Sequence, residues 1–160
     1  MQPRIIPNLW FDSEAEEAAA FYVSTFPDSR ITNVMRYTDA GPGEPGTVVT
    51  VEFELAGQPF VGINGGPLFP FTEAVSFMIP CEDQAEVDHY WDTLVEGGEP
   101  SQCGWLKDRY GLSWQVVPKV LDQLLADPDP ERARRATEAM LGMSKLDVAA
   151  LVSAADGVPA

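Results

Sequence analysis

The strongest constraint in this sequence is a pattern written twice. Ser13-Glu14-Ala15-Glu16 and Asp83-Gln84-Ala85-Glu86 each set a capping side chain three residues ahead of a glutamate, an arrangement that opens a helix. They stand 70 positions apart, and the same step carries Phe21 onto Trp91. Behind the first signal, Ala15, Ala18, Ala19, Tyr22 and Phe26 form one apolar face. Behind the second, Val87, Tyr90, Trp91, Leu94 and Val95 do the same, until Gly97-Gly98 stops the helix. An apolar strand-like segment precedes each helix: Arg4 to Phe11, then Ala74 to Ile79. Further strands follow each helix. Ile31 to Tyr37 comes first, then a Gly/Pro-rich loop over Ala40 to Gly46. Val49, Val51, Phe53 and Leu55 next alternate with polar residues at period two, the mark of a strand with one wet face. Ala56-Gly57 turns that strand into Phe60 to Asn64. In the second half, Trp105 to Lys107 and Leu112 to Val117 read as a hairpin about Tyr110-Gly111. A chain built this way folds as two copies of one strand–helix–strands unit.

Composition closes several functional classes. The 160 residues hold 10 Lys+Arg against 25 Asp+Glu, a formal charge of −15. That balance opposes nucleic-acid binding, which needs cations to replace phosphate counterions. No apolar run reaches the ~20 residues of a membrane-spanning helix, and no signal-peptide pattern opens the chain. The expectation is a soluble, cytoplasmic protein with no nucleic-acid or membrane partner. A single histidine, His89, closes sites that need several imidazoles on one metal. Cys81 and Cys103 form no CxxC and, in a cytosolic setting, are expected as free thiols. No glycine-rich loop leads from a strand into a helix, so no phosphate-cradling loop is expected.

After Pro118 the pattern changes. Leu121, Leu124 and Leu125 indicate a short helix, Asp129-Pro130 a second that closes at Gly142, and Ser144 with Asp147 the start of a third. The acidity belongs to the preceding body, which holds 18 of the 25 acidic residues. The expected fold class is α+β: two tandem βαβββ units, residues 1–66 and 67–118, forming curved half-barrel sheets, with a helical extension over 119–160.

Five segments in order carry a family likeness: Asn8-Leu9-Trp10-Phe11, Ala19-Ala20-Phe21-Tyr22, Ala74-Val75-Ser76-Phe77, Cys103 through Asp108, and Trp114 through Pro118. Together they resemble the PhnB-like group, which carries a 3-demethylubiquinone methyltransferase domain name and belongs to the vicinal oxygen chelate superfamily. The resemblance spans residues 4 to 118. It implies paired βαβββ units, a ligand site in each concave sheet and a homodimer. It also implies four metal-ligand positions, which fall here on Pro7, on Val61 or Gly62, on Ser76 and on Gln115. One hydroxyl and one amide do not make a site for a divalent cation, so no metal and no other cofactor is expected.

The expected function is binding of a small organic ligand in a sheet-lined cavity. Lyase, isomerase or transferase chemistry, sequestration of a drug as in bleomycin-resistance proteins, and a partner-binding role stand as alternatives. The candidate ligand-binding residues are Gln115, Ser76, Asn64, Trp105, Cys103 and Trp10. Alternation sets Ser113, Gln115 and Val117 on one strand face, where Gln115 either orients a ligand or bonds within the sheet. Asn64 precedes the Gly65-Gly66 turn and serves a turn equally well. Cys103 lacks a visible base to activate its thiol, since His89 lies on the polar side of its helix. Cys81 is a weaker candidate because Glu82 and Asp83 oppose a thiolate.

Overall fold

The computed structural model describes residues 5–159. Its chain divides into two compact units, Met1–Phe71 and Thr72–Ala160.

In the first unit the order is β1 (Asn8–Phe11), α1 (Ala15–Thr25), β2 (Arg30–Arg36), β3 (Val48–Leu55) and β4 (Gln58–Asn64). The four strands make one sheet in the order β1-β4-β3-β2. β1 runs parallel to β4, while β3 is antiparallel to both β2 and β4. Period-two alternation decides what the sheet buries: Val51, Phe53 and Leu55 of β3, Phe60 of β4, and Leu9 and Phe11 of β1. Against them lies the small-residue face of α1, where Ala15, Ala18, Ala19 and Tyr22 are fully buried. Tyr22 stacks on Phe53, and Phe53 on Phe60. Gly62 of β4 lets this helix settle close, since a Cβ there would stand 3.2 Å from that of Ala15. Ala56 and Gly57 both take positive φ (47° and 82°), as the two-residue hairpin turn requires.

The second unit repeats the plan with β5 (Ser76–Cys81), α2 (Gln84–Val95), β6 (Glu99–Pro100), β7 (Trp105–Lys107) and β8 (Ser113–Pro118). Its sheet order is β5-β8-β7-β6, with β5 parallel to β8. The topology is that of the first sheet, so the duplication read from the 70-residue step is present in the fold, and neither sheet closes into a barrel. One face buries Ile79, Cys81, Leu106, Trp114 and Val116 under Val87, Trp91 and Leu94 of α2. The two-residue β6 escaped the pattern reading because it is too short to alternate.

Three helices follow: α3 (Lys119–Leu125), α4 (Pro130–Leu141) and α5 (Val148–Ala155). They share an apolar cluster of Val117, Leu121, Leu124, Ala136, Leu146, Leu151 and Ala155. Polar ties hold the segment before α5 to the rest of the unit. The Gln84 amide donates to the Leu146 carbonyl and accepts from the Val148 N–H, and Lys145 pairs with Asp88 and Asp92 of α2.

Several expectations are corrected. Ser13 and Glu16 do not form a capping box. The residue before α1 is Glu14, which makes no side-chain cap, and the Glu16 carboxylate pairs with Arg36 instead. The Asn64 amide oxygen takes the Ala15 N–H from across the sheet at 2.8 Å. At α2, by contrast, Asp83 accepts from the Glu86 N–H, and Glu86 reaches back to the Glu82 N–H. The final helix starts at Asp147, which caps the Ala150 N–H, because the Ser144 carbonyl is bonded to Gly104. The first strand begins at Asn8, with Ile5 to Pro7 outside it; the Arg4 end of the expected strand lies outside the described residues.

Candidate functional site

In the second unit, strand register puts Ser76 beside Ser113, Met78 beside Gln115, Trp105 beside Gln115, and Lys107 beside Ser113. All six project from the side of the sheet opposite α2, because the intervening Phe77, Trp114 and Leu106 face the helix. The Gln115 side-chain amide donates to Ser76 Oγ at 2.9 Å. This bond joins two of the sequence-predicted residues, and register adds Trp105 to the same face. Met78 is 57% exposed there, so no helix covers this stretch. Val117, next on the same side of β8, is instead buried in the cluster of the C-terminal helices.

Beside that polar pair lies a small cavity of about 110 Å³, lined by Glu73, Glu99, Ser101, Trp105, Lys107 and Ser113, among others. Lys107 and Glu73 form an ion pair at 2.5 Å. The ammonium holds the Glu73 carboxyl below the usual carboxylate range, and the carboxylate raises Lys107 in turn. Ser113 is 1% exposed, and its hydroxyl oxygen has no hydrogen-bond partner. Such orphaned hydroxyls are uncommon, since burial strips a polar group of water and normally demands a replacement.

The remaining predicted residues are elsewhere. Asn64 sits at the end of β4 with both ends of its amide engaged, Oδ1 by the Ala15 N–H and Nδ2 by the Val48 carbonyl. It lines an open hollow of about 550 Å³ together with Ser13, Glu16, Arg36, Tyr37 and Thr47. Trp10 donates its indole N–H to the Gly66 carbonyl at 2.9 Å and meets Phe69 edge-on. Its ring lies over Gly65, where a Cβ would come within 2.1 Å of it. Cys103 is half-buried in a left-handed turn (φ 57°), and its N–H bonds the Met143 carbonyl. It does not line the cavity beside Trp105. Cys81 is buried, and desolvation followed by the Glu86 charge pushes its thiol up to about 11, so it is inert at neutral pH. His89 is exposed on α2, as its helical position predicts.

Two features went unread in the sequence. Ser113 was placed on the Gln115 face, but no pattern signals that its hydroxyl is stranded. Asp108 ends the Cys103-to-Asp108 segment, where the sequence gives it no role. It is 2% exposed and organises the β7–β8 turn: Oδ1 accepts from the Tyr110 and Leu112 N–H groups, and Oδ2 from the Trp114 indole. An aspartate five positions after a cysteine carries no local sign of this. Among the described residues, no group of three or more His, Cys, Asp or Glu gathers as a metal cluster, and no helix is long and apolar enough to cross a membrane.

Paired βαβββ units with this strand order are the fold of the vicinal oxygen chelate superfamily. Residues 3–117 match the 3-demethylubiquinone-9 3-methyltransferase family, and the chain belongs to it. A PhnB protein from Bacillus cereus is 37% identical, with a TM-score of 0.67 over 72% of this chain and 99% of that one. Protein PA1353 from Pseudomonas aeruginosa shares the fold at 19% identity and TM-score 0.60, over 74% of this chain and 97% of its own. The fosfomycin resistance protein FosX from Listeria monocytogenes shares it at 14% identity and TM-score 0.54, over 77% and 96%. No curated protein matches the chain.

Proposed function

We propose that this protein binds a small organic molecule on the open face of its second sheet, through uncharged groups and without the superfamily's metal. The Gln115–Ser76 hydrogen bond carries the reading. It lies at two of the four superfamily ligand positions, and among the described residues the Gln115 carbonyl oxygen has no protein donor. Gly62 packs against Ala15, so Val61 is the residue of that pair on the open side of the first sheet. The four positions are then Pro7, Val61, Ser76 and Gln115. The Pro7 carbonyl accepts from the Val61 N–H, and neither residue has a side-chain ligand atom. One hydroxyl and one amide oxygen do not suit a hard cation or zinc. The family's methyltransferase name implies a methyl donor, but the strand-to-helix turns here, Asp12-Ser13-Glu14 and Glu82-Asp83, carry carboxylates where glycines would allow a cofactor close approach.

Homodimer formation, a cytoplasmic setting and the division at residues 66 and 118 belong to the same reading. The compact division of the chain falls after Phe71, and its second unit takes in the C-terminal helices. Thermal unfolding with divalent metals, cationic antibiotics and small carbonyl compounds tests the binding. At a free concentration a hundred times its dissociation constant, a ligand adds about 2.7 kcal/mol of stability. Gln115→Ala should weaken that ligand about tenfold while leaving the unliganded protein folded. Near-stoichiometric metal in protein purified without chelator would overturn the reading.

A further inference from the structure

We infer that the Gln115–Ser76 pair selects an uncharged carboxamide on a flat apolar body: the ligand N–H donates to Gln115 Oε1, and the ligand carbonyl accepts the Nε2–H that Ser76 does not take. The inference rests on the reading that this sheet face binds small molecules, and it names the chemical class that face takes.

A glutamine side chain carries one carbonyl acceptor and two N–H donors on a single plane. Gln115 gives one N–H to Ser76 Oγ at 2.9 Å. Among the described residues its Oε1 and its second Nε2–H meet no protein partner. Both side chains are half-buried, so a ligand can reach them without any part of the sheet moving. A donor and an acceptor left together on one planar group are matched by a second amide, which returns an N–H to Oε1 and a carbonyl to Nε2.

The neighbours disfavour charge. Register sets Met78 on one side of Gln115 and Trp105 on the other, and side chains opposed across neighbouring strands stand about 5 Å apart. A thioether and an indole therefore flank the amide. Lys107, two residues along β7 from Trp105, is already neutralised by Glu73 at 2.5 Å. A carboxylate would find no unpaired cation here and would turn one oxygen against Gln115 Oε1. An ammonium would find Oε1 open but Ser76 Oγ already accepting, and would bring its N–H groups against the free Nε2–H. Either ion would give up hydration that these groups do not replace. A neutral amide gives up less and recovers both bonds.

The flanking pair also sets the shape of what the carboxamide is attached to. Met78 is 57% exposed, and Trp105, which walls the small cavity as well, is half-buried. An indole packs best on another flat ring, and a thioether packs against ring edges. An aromatic carboxamide uses all three residues of this row at once.

The test titrates benzamide, benzoate, benzylammonium and acetophenone separately into the full-length protein at constant ionic strength. Heteronuclear NMR follows the Gln115 side-chain NH₂, the Trp105 indole N–H and the Met78 methyl. Benzamide should shift all three and saturate in about the millimolar range expected of so few atoms. Acetophenone keeps the ring and the carbonyl but has a methyl in place of the NH₂, and should bind at least about fivefold more weakly. Benzoate and benzylammonium should fall behind benzamide by at least the same factor. Gln115→Met keeps the length of the side chain and removes its amide, and should bring benzamide and acetophenone to equal affinity at Trp105 and Met78. The comparison of benzamide with acetophenone in the unaltered protein needs no variant to fold. An ion that binds as tightly as benzamide, equal affinity for acetophenone, a benzamide preference that survives in Gln115→Met, or no saturable shift would each overturn the assignment. A charged ligand that stabilised the protein through Gln115 would sink this inference and leave the broader reading standing, whereas a protein that no class of ligand stabilises would lose both.

Discussion

Asp108 shows how one buried charge can hold a turn together. Its carboxylate accepts three N–H groups, from Tyr110, Leu112 and the Trp114 indole, within a hairpin closed by the Lys107–Ser113 pair and turned by Gly111 at φ 85°. Charged acceptors make the stronger hydrogen bonds, and their removal strands every donor at once. Asp108→Ala should therefore cost about 3 kcal/mol, read as a fall in the urea midpoint, with a red-shifted Trp114 emission as the indole loses its partner. Asp108→Asn should cost less, since Oδ1 can keep its two backbone donors while the amide nitrogen opposes the indole N–H. The same turn fixes Ser113 and aims Lys107, so a loosened hairpin should also weaken any ligand held at that cavity.

At the scale of elements, the two helices of the repeat are started by different means. α2 is opened locally, by Asp83 and Glu86 within four residues of each other, and this was legible in the sequence. α1 carries a similar string, yet its first free N–H is taken by Asn64, 49 positions away. Local patterns report local bonds; a cap delivered from a neighbouring strand leaves no trace near the helix it serves. Asn64→Ala removes that cap together with the bond to the Val48 carbonyl, and should lower stability by about 1–2 kcal/mol. Ser13→Ala should change it by a few tenths at most, a contrast readable from two denaturation curves. Hairpins and stripes were legible for the same reason that α2 was. The turns at Ala56-Gly57 and Gly111 and the Val87-Trp91-Leu94 face are set by spacing over a few residues. The site was half legible. Strand parity puts Gln115, Ser76 and Ser113 on one face, but the Gln115–Ser76 bond depends on register between β5 and β8, 37 residues apart in the chain, and the Glu73–Lys107 pair joins a residue outside the strands to β7; no single-segment pattern encodes either.

For the molecule as a whole, the question is what the C-terminal helices contribute. The family match ends at residue 117, and the Bacillus cereus relative is covered over 99% of its length by 72% of this chain, so a PhnB body forms without matching these helices. Here they are built into the second unit. Val117 of β8 is buried with Leu121, Leu124, Leu146 and Leu151, and the Cys103-Gly104 turn feeding β7 takes its two backbone acceptors from Met143 and Ser144. Cutting the chain after Pro118 would expose Val117 and leave the N–H groups of Cys103 and Gly104 to water. It would also unpair Gln84 from the 146–148 segment. β7 carries Trp105 and Lys107, so the loss should reach the cavity and not only the sheet end. The 1–118 chain should lose cooperative unfolding of its second unit, with hydrogen exchange rising first in β7 and β8 and remaining slow in the first sheet. Leu146→Ala offers a graded version: a fully buried leucine removed at the junction should cost about 2–5 kcal/mol. If the truncated chain instead kept protected β7 amides and a sharp transition, the helices would be an appendage, and the second sheet would hold its shape by α2 alone.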